Sequence, residues 1–424
     1  MSDVTRRDFL SGALALAAAG ATGAALDPEA AAAAALPAPQ DSGVDHIVVV
    51  MMENRSFDHY LGWLPGADGR QAGLTFVDRD GVARQTHHLT VPHGCGFNDP
   101  DHSYAGGRVE LNGGACDGWL RAGDNDVFSI GYFEAADLGF HGRAALDWTV
   151  CDRYFTAMMA PTYPNRLFLH SGQTDRITTS IDRIARMPAV WDRLAAAGVS
   201  GRYYYSDVPF TALWGTRHLG ISKRISAFYA AAEAGTLPAV SFVEPGFLGR
   251  IVPGLSEDEH PLADIRLGQH FLGKVYDAVV SGPNWPRTAL VITYDEWGGF
   301  FDHVPPPEGP DPNPELGAGL RGFRVPCLVI SPRSRRGTVA HGLYDHTSVL
   351  KMIEWRFRLA PLTVRDAAAN NLAEVLDFEN PPVLAAPRYR VPRPLTFGCL
   401  PQPRASGDEW ADLAEVAARR GFAV

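Results

Sequence analysis

The segment HIVVVMM at residues 46–52 is the strongest indication of secondary structure in this chain of 424 residues. After its first residue the segment is an unbroken run of apolar, mainly β-branched residues. A run without a polar face is typical of a strand that is buried on both sides. Similar runs lie at 289–294 (ALVITY) and 325–330 (VPCLVI), and a weaker one lies at 239–243 (AVSFV). The sequence therefore predicts several buried strands.

Two segments between or after these runs have the spacing of helices. Apolar residues recur on one helical face across 264–280 and again across 345–357. Strands that alternate with amphipathic helices indicate an α/β fold. We expect a mostly parallel sheet with helices on both faces.

Composition and net charge exclude some classes of function. Hydrophobic residues make up 46% and charged residues 20% of the chain, as in ordinary globular proteins. The net charge of −10 argues against a general nucleic-acid binder, which needs a basic face. A substrate that carries phosphate is still compatible with this charge, because a bound cation or a few arginines can make the local electrostatic potential positive.

The N-terminus has the pattern of an export signal. The sequence TRRDFL at residues 5–10 precedes an alanine-rich apolar run that extends to about residue 25. Paired arginines favour the twin-arginine export machinery as a partner and a secreted or cell-envelope location. The alternative is an N-terminal helix of the domain. We predict a signal peptide and linker over 1–40, a catalytic domain over 41–385 and a Pro-rich tail over 386–424.

The cysteines show no spacing typical of a metal site. There are five, and they are scattered along the sequence. An oxidising destination would permit a disulfide, for which Cys95 and Cys116 are the nearest pair. The odd count leaves at least one free thiol.

Polar residues follow two of the predicted strands directly. Glu53 and Asn54 follow the first strand, and Asp295 and Glu296 follow the strand at 289–294. The first pair has an alternative role as a helix cap. Adjacent carboxylates at the end of a buried strand repel each other unless a cation or an arginine lies between them. We expect a divalent metal ion, whose identity the ligand types leave open.

A third motif supplies a candidate nucleophile. Thr162 lies between two prolines in the sequence APTYPNR at residues 160–166, and Arg166 follows one helical turn later. A metal-bound hydroxyl loses its proton readily, and a guanidinium matches the oxygens of phosphate. The alternative is an ordinary junction between loop and helix, with Thr162 as the N-cap.

Four motifs together resemble one known family. They are DHIVVVMMENRSFDHY at 45–60, PTYPNR at 161–166, DEHP at 258–261 and YDEWGGFFDHV at 294–304. In this order, within 44–378, they strongly resemble the bacterial phosphoesterase family that contains phospholipases C and an acid phosphatase branch. That family is similar to a branch of the alkaline phosphatase superfamily. The resemblance implies an alkaline phosphatase-like core with a metal site at the strand ends.

The resemblance also implies roles for individual residues. Thr162 would be both nucleophile and metal ligand, and threonine is usual in the phospholipase C branch. The other implied metal ligands are Glu53, Asn54, Asp295 and Glu296. The remaining implied catalytic residues are Arg166 and four histidines that match family strings: His102, His260, His303 and His346.

We therefore expect an exported, metal-dependent phosphoesterase of the phospholipase C kind. Thr162 would attack phosphorus, His260 or His102 would protonate the leaving alcohol, and water would hydrolyse the phosphothreonine. Phosphodiesters, including phospholipids, are the expected substrates, and an acid phosphatase acting on phosphomonoesters is the alternative. A sulfatase-like activity is disfavoured, because the nucleophile of sulfatases derives from Cys or Ser in another motif. A non-catalytic binding protein is the other alternative, and the presence of both Thr162 and Arg166 argues against it. The β-rich C-terminal modules of many relatives are missing, so we expect at most peripheral membrane contact.

Overall fold

One large sheet carries the polar residues that follow the predicted strands. The computed structural model describes residues 36–248, 255–399 and 409–424. The strands are β1 His46–Met52, β2 Thr75–Val77, β3 Ala83–Gln85, β4 His87–His88, β5 Gly131–Tyr132, β6 Thr149–Cys151, β7 Tyr154–Phe155, β8 Gly201–Tyr205, β9 Ser222–Arg224, β10 Val240–Glu244, β11 Thr288–Tyr294, β12 Cys327–Ile330, β13 Val339–Ala340 and β14 Tyr344–Asp345. The α-helices are α1 Phe57–Leu61, α2 Tyr104–Leu111, α3 His141–Asp147, α4 Thr162–Ser171, α5 Val190–Ala196, α6 Ile225–Ala234, α7 Ile265–Ser281, α8 His346–Phe357, α9 Val364–Ala368 and α10 Glu409–Arg419.

The central strand of the large sheet is β1. The strand order is β13-β6-β12-β11-β1-β10-β8-β9. Strand β1 pairs in parallel with both β10 and β11, whereas β12 is antiparallel to its neighbours β11 and β6. The carboxyl ends of β10, β1 and β11 therefore lie side by side at one edge of the sheet.

Both faces of the central strands are covered. All residues of β1 after His46 are buried, and every residue of β11 is buried. Successive side chains of a strand point to opposite faces, so continuous burial requires packing on each side of the sheet. The predicted α/β class with a mostly parallel sheet is confirmed.

The predicted elements agree closely with the structure. Strand β1 has the predicted bounds, and β11 begins one residue before the predicted 289–294. Strand β12 begins only after Pro326, which cannot donate a backbone hydrogen bond to a neighbouring strand. Helix α7 begins after Asp264, whose side chain accepts a hydrogen bond from the Arg266 amide, and α8 begins after Asp345, which caps Thr347 in the same way.

The C-terminal segment was predicted only as a Pro-rich tail over 386–424, but part of it is helical. Helix α10 buries one apolar face through Trp410, Leu413 and Ala417. These positions have the i, i+3, i+7 spacing of a helix that packs on a core. The helix belongs to the same compact unit as the other described residues from Leu36 onwards.

The disulfide differs from the pair suggested by sequence proximity. Cys95 is bonded to Cys399, which is 304 residues away in the chain. Cys116 is instead a free thiol, buried with Trp119 and Phe323 in a second hydrophobic cluster. The fold brings the C-terminal segment to the loop at Cys95, a proximity that sequence spacing could not reveal.

The predicted export signal lies in residues 1–35, outside the described residues. The boundary that we predicted at residue 40 stays a prediction. Of the helices in the described ranges, none combines the length and apolar character needed to cross a membrane.

Candidate active site

The carboxyl edge of the sheet gathers buried acidic and amide side chains. Glu53 and Asn54 follow β1, Glu244 ends β10, and Asp295 and Glu296 follow β11. All five are buried, with exposed fractions of 1% or less. Because the three strands are parallel neighbours, their ends converge on one small volume.

Local backbone geometry fixes the turn after β1. Asn54 has a φ of 62°, in the left-handed region that is uncommon for residues other than glycine. Its N–H donates to Asp295 Oδ1 at 3.2 Å, and the N–H of Arg55 donates to the carbonyl of Glu296 at 3.1 Å. A Cβ at Gly298 would overlap the carbonyl oxygen of Asn54. The strained turn is thus held by the loop that follows β11. Strained backbone conformations of this kind are common at functional sites.

The side chains at this edge fit a divalent cation. Both amide atoms of Asn54 and Oε1 of Glu296 are buried and have no hydrogen-bond partner within the described part of the chain. Buried polar atoms without partners cost free energy, so such a group indicates a missing ligand. Carboxylate and amide oxygens are the donors that hard divalent cations prefer. Asn54 and Glu296, with neighbouring Glu53 and Asp295, therefore form a suitable donor set.

Burial sets the charge state of these carboxyl groups. It raises the pKa of Glu296 to about 8, with nearby His102 opposing the shift. It also raises the pKa of Asp295, against the opposing charge of Arg166. A cation would stabilise the ionised form of both groups.

Arg166 contacts a carboxylate at the end of each of the three strands. Its Nε donates to Asp295 Oδ2 at 3.0 Å, and its Nη1 donates to Glu244 Oε2 at 2.5 Å. Its Nη2 lies 3.3 Å from the carbonyl of Met52 and 3.4 Å from Glu53 Oε1. Carboxylates from three strand ends contact the guanidinium, so the prediction that its fork binds phosphate oxygens stays a prediction without a matching contact.

Thr162 is the first residue of α4. The N-cap position belongs to Pro161, so the alternative role of Thr162 as an N-cap is not supported. The side chain of Asn165 fixes the turn, since its amide donates to the carbonyl of Ala160 at 2.7 Å. Residues four apart lie on the same face of a helix, which places Thr162 one turn from Arg166 and its carboxylate partners. A helix N-terminus also favours negative charge on a hydroxyl oxygen or phosphate.

Two of the predicted histidines lie together at the opening of the site. The rings of His102 and His260 are 5.8 Å apart, and Nε2 of His102 lies 3.9 Å from Glu296 Oε1. Nδ1 of His102 is 2.9 Å from the carbonyl of Pro100, so Nδ1 is the donor and Nε2 faces the site. Nε2 of His260 lies 3.6 Å from Asp99 Oδ2. Their side chains are 19% and 11% exposed, whereas Glu296 is fully buried, so both histidines border the solvent.

The other two predicted histidines have supporting contacts. Nε2 of His346 donates to the carbonyl of Asp295 at 2.7 Å, and burial lowers the pKa of His346 to about 4. His303 is paired with Asp58 at 2.5 Å and with Asp68 at 3.1 Å. Among the described contacts, neither ring reaches the two histidines at the opening. A direct catalytic role for either stays a prediction without a matching contact.

His303 belongs to a separate charged cluster. Asp58, Asp302 and His303 are close enough to share a cation. Arg324 already lies between the two carboxylates, with hydrogen bonds of 3.1 Å to Asp58 and 2.9 Å to Asp302. The arginine supplies the positive charge that the cluster requires.

Some residues that hold the site together were not predicted from the sequence. Arg55 donates to the carbonyl of Glu259 at 2.8 Å and lies 3.5 Å from the carbonyl of His260. Glu259 has a φ of 72°, so the turn that presents His260 is strained as well. Glu244 could have been named as a site residue, because it directly follows the strand predicted at 239–243. The structure shows that this strand lies next to β1. Arg55 and Glu259 lie within the family motifs, but only the structure shows that they contact each other.

These features define an α/β enzyme with a buried carboxylate centre at the carboxyl edge of its sheet. A family model described as the Phosphoesterase family matches residues 44–360. The chain belongs to the Phosphoesterase family and is a phosphoric ester hydrolase that is similar to phospholipases C.

Comparison with known proteins found two relatives and one solved structure, among others. Phospholipase C B of Mycobacterium tuberculosis is 34% identical, with 94% of this chain and 90% of the relative covered. The non-hemolytic phospholipase C of Pseudomonas aeruginosa is 30% identical, with 90% of this chain and 64% of the relative covered. A protein in the alkaline phosphatase superfamily from Vibrio parahaemolyticus has a TM-score of 0.41 at 10% identity, covering 78% of this chain and 71% of that chain.

Proposed function

We propose that this chain hydrolyses phosphodiesters of the phospholipase C type and releases a phosphorylated head group. The observation that carries the proposal is the position of Thr162 at the N-terminus of α4, one turn from an arginine bound to the acidic strand ends. The names of the relatives favour a diester, and threonine as nucleophile agrees with the phospholipase C branch.

The proposed cofactor is a divalent metal ion. Glu53, Asn54, Asp295, Glu296 and Thr162 would hold it. When bound, it would lower the pKa of a hydroxyl and neutralise charge on phosphate oxygens.

The chain's own residues account for the remaining steps. Oγ1 of Thr162, after its hydroxyl proton has been lost to solvent, forms a bond to phosphorus as the bond from phosphorus to the glycerol oxygen breaks. The departing alcohol takes a proton from His102 or His260, which border the solvent beside Glu296. A water molecule then attacks the phosphothreonine, its proton returns to the histidine, and the bond between Thr162 and phosphorus breaks. Arg166 keeps Asp295 and Glu244 in place during both steps.

A comparison of substrates tests this proposal. We expect a phosphocholine diester or a glycerophosphodiester to be hydrolysed faster than a phosphomonoester at equal concentration with saturating metal. A monoester rate at least about tenfold above both diesters, which equals about 1.4 kcal/mol in activation free energy, would make the protein an acid phosphatase. Comparable rates on all three would show that the site recognises only the phosphate.

The physical state of the substrate should also matter. The net charge of −10 gives little attraction to anionic bilayers, so we propose peripheral membrane contact at most. Soluble or micellar diesters should therefore react faster than intact anionic vesicles. Equal rates on both would remove this part of the proposal.

Export through the twin-arginine machinery is part of the same proposal. It is supported by the sequence TRRDFL at residues 5–10 and the apolar run that follows. Replacing Arg6 and Arg7 with lysine should trap the precursor in the cell, whereas a general secretory signal would tolerate that change. Unchanged secretion of the double variant would leave only a generic signal peptide.

A further inference from the structure

The C-terminal helix α10 reaches the Arg166 guanidinium. Trp410 of this helix is fully buried, and its ring stacks on Phe247 with centroids 3.7 Å apart and planes 3° apart. Cζ of Arg166 lies 5.0 Å from the Phe247 centroid and 5.3 Å from the Trp410 centroid. An atom nearly equidistant from two parallel rings lies beside the stack, not above either face. The rings therefore form an apolar wall along the guanidinium, and cation–π attraction, which requires a ring face, contributes little.

This wall protects the hydrogen bonds that Arg166 makes to the acidic strand ends. The bonds to Asp295 and Glu244 are charge-assisted, and such bonds are stronger where water is excluded. Phe247 follows Glu244 by three residues, so one ring of the wall belongs to the loop that leaves β10. Loss of either ring would admit water to these ion pairs and weaken their fixed geometry.

Trp410 also touches the helix that carries the candidate nucleophile. Its ring packs edge-to-face on Tyr163 at 5.6 Å, and Tyr163 directly follows Thr162. One side chain from the C-terminus thus contacts both the first turn of α4 and the arginine one turn further along.

The rest of α10 is anchored independently of this contact. Just after the helix, the hydroxyl of Tyr205 donates to the carbonyl of Ala423 at 2.9 Å, and Arg420 donates to the carbonyl of Ala212 at 2.6 Å. The helix should therefore stay docked when Trp410 alone is changed. Leu413, for which no contact with Arg166 is described, offers a matched control.

We propose that Trp410 is a positioning residue for phosphoester hydrolysis. With Phe247 it holds Arg166, and through Arg166 it holds Asp295, in the geometry that the site requires. The catalytic consequence rests on the proposed function, whereas the effect on cation affinity does not depend on turnover.

The test compares Trp410→Ala, Trp410→Phe and Leu413→Ala. The kcat and KM for a soluble chromogenic phosphodiester are measured, together with the affinity for Mn²⁺ alone by electron paramagnetic resonance. Trp410→Ala should lower both kcat and Mn²⁺ affinity by about tenfold or more, the usual effect of removing a group that supports metal ligands. KM should change little because the buried ring cannot touch substrate. Trp410→Phe should restore most of the loss, and Leu413→Ala should keep near-parental values despite lower stability.

Two outcomes would overturn the proposal. One is a Trp410→Ala variant with parental kcat and Mn²⁺ affinity; the other is an equal loss in Leu413→Ala, which would make the role merely structural. If Trp410→Ala does not fold, Phe247→Leu breaks the same stack from the other side, and parental values there would also overturn it. If the parent protein lacks diesterase activity, the proposed function fails while the Mn²⁺ series still decides the role of Trp410.

Discussion

Nε of Arg166 donates a hydrogen bond to Asp295 Oδ2 at 3.0 Å and so ties α4 to the carboxyl end of β11. The same guanidinium binds Glu244 at the end of β10 and lies against Glu53 at the end of β1. The buried guanidinium of Arg166 thus holds acidic groups from three parallel strands in place. Oε1 of Glu296 and the amide atoms of Asn54 have no hydrogen-bond partner within the described part of the chain, and Nε2 of His102 lies 3.9 Å from Glu296 Oε1. We therefore place the metal and the substrate on the side of His102.

The contact between Asn54 and Gly298 predicts a sharp effect of one methyl group. Gly298→Ala should abolish most activity, because the new Cβ overlaps the Asn54 carbonyl and the backbone has a φ of +66°. The expected loss of stability is about 1–3 kcal/mol, as for overpacked sites. Urea unfolding and the rate on a soluble diester measure the two effects.

Gly73→Ala is the matched control for that variant. Gly73 also has a positive φ, of +81°, but a Cβ there meets nothing within 4 Å. Its variant carries the backbone strain without the overlap, so activity should stay close to the parent. Equal inactivation of both variants would contradict a specific contact with Asn54.

Cation affinity should depend on pH through Glu296. Its folded-state pKa, raised to about 8 by burial, means that a proton competes with the cation below that pH. Affinity should therefore rise as pH increases towards 8 and then level off. Titration calorimetry at several pH values measures this, and Glu296→Gln should flatten that part of the dependence.

The raised pKa of Glu296 also predicts how the stability of the metal-free protein changes with pH. A carboxyl group with a raised folded pKa binds more protons when folded than when unfolded. Its stabilising contribution is fully present below its ordinary pKa of 4.5 and is lost as pH rises through about 8. Unfolding of the metal-free protein should become easier over this range, and added cation should reverse the loss. A cation effect of equal size at all pH values would contradict the assignment of Glu296 as a ligand.

The Cys95–Cys399 bond should stabilise the protein, since it closes a very long loop. Cys399→Ala should lower the free energy of unfolding by about 2–5 kcal/mol, which is typical for loss of a native disulfide. Cys116→Ala, which removes a buried free thiol, should cost only about 1 kcal/mol, as average substitutions do. Chemical denaturation without reductant compares them, and equal losses would show that the bond contributes little.

The sequence was most informative where one physical signal dominated. Strand β1 was predicted at its observed bounds, because a continuous apolar run has few other stable solutions. Strand β8, Gly201–Tyr205, was missed, since Arg202 interrupts its apolar character. Helix α10 was missed because the Pro-rich sequence before it suggested a tail throughout.

The sequence could name candidate residues of the site but could not show which way their side chains face. The structure places Asp295 and Glu296 after β11, and Thr162 lies one helical turn before Arg166, which binds Asp295. The family motifs assign these residues the roles of ligands and nucleophile, which stay predictions. They could not show that Arg166 faces the carboxylates, because that depends on which strands are neighbours. Nor could they show that Trp410 reaches Arg166 across more than half of the chain.

Trapping the covalent intermediate would show whether Thr162 is the nucleophile. Rapid acid quenching during turnover of a soluble phosphodiester, followed by mass spectrometry of the peptide that contains Thr162, would detect the phosphorylated head group bound to that residue through its phosphorus. We expect this group on Thr162 in the parent protein, and we expect Thr162→Ala to fold normally while losing several orders of magnitude in kcat. Parental turnover by Thr162→Ala, or the phosphorylated head group trapped on another residue, would contradict the account.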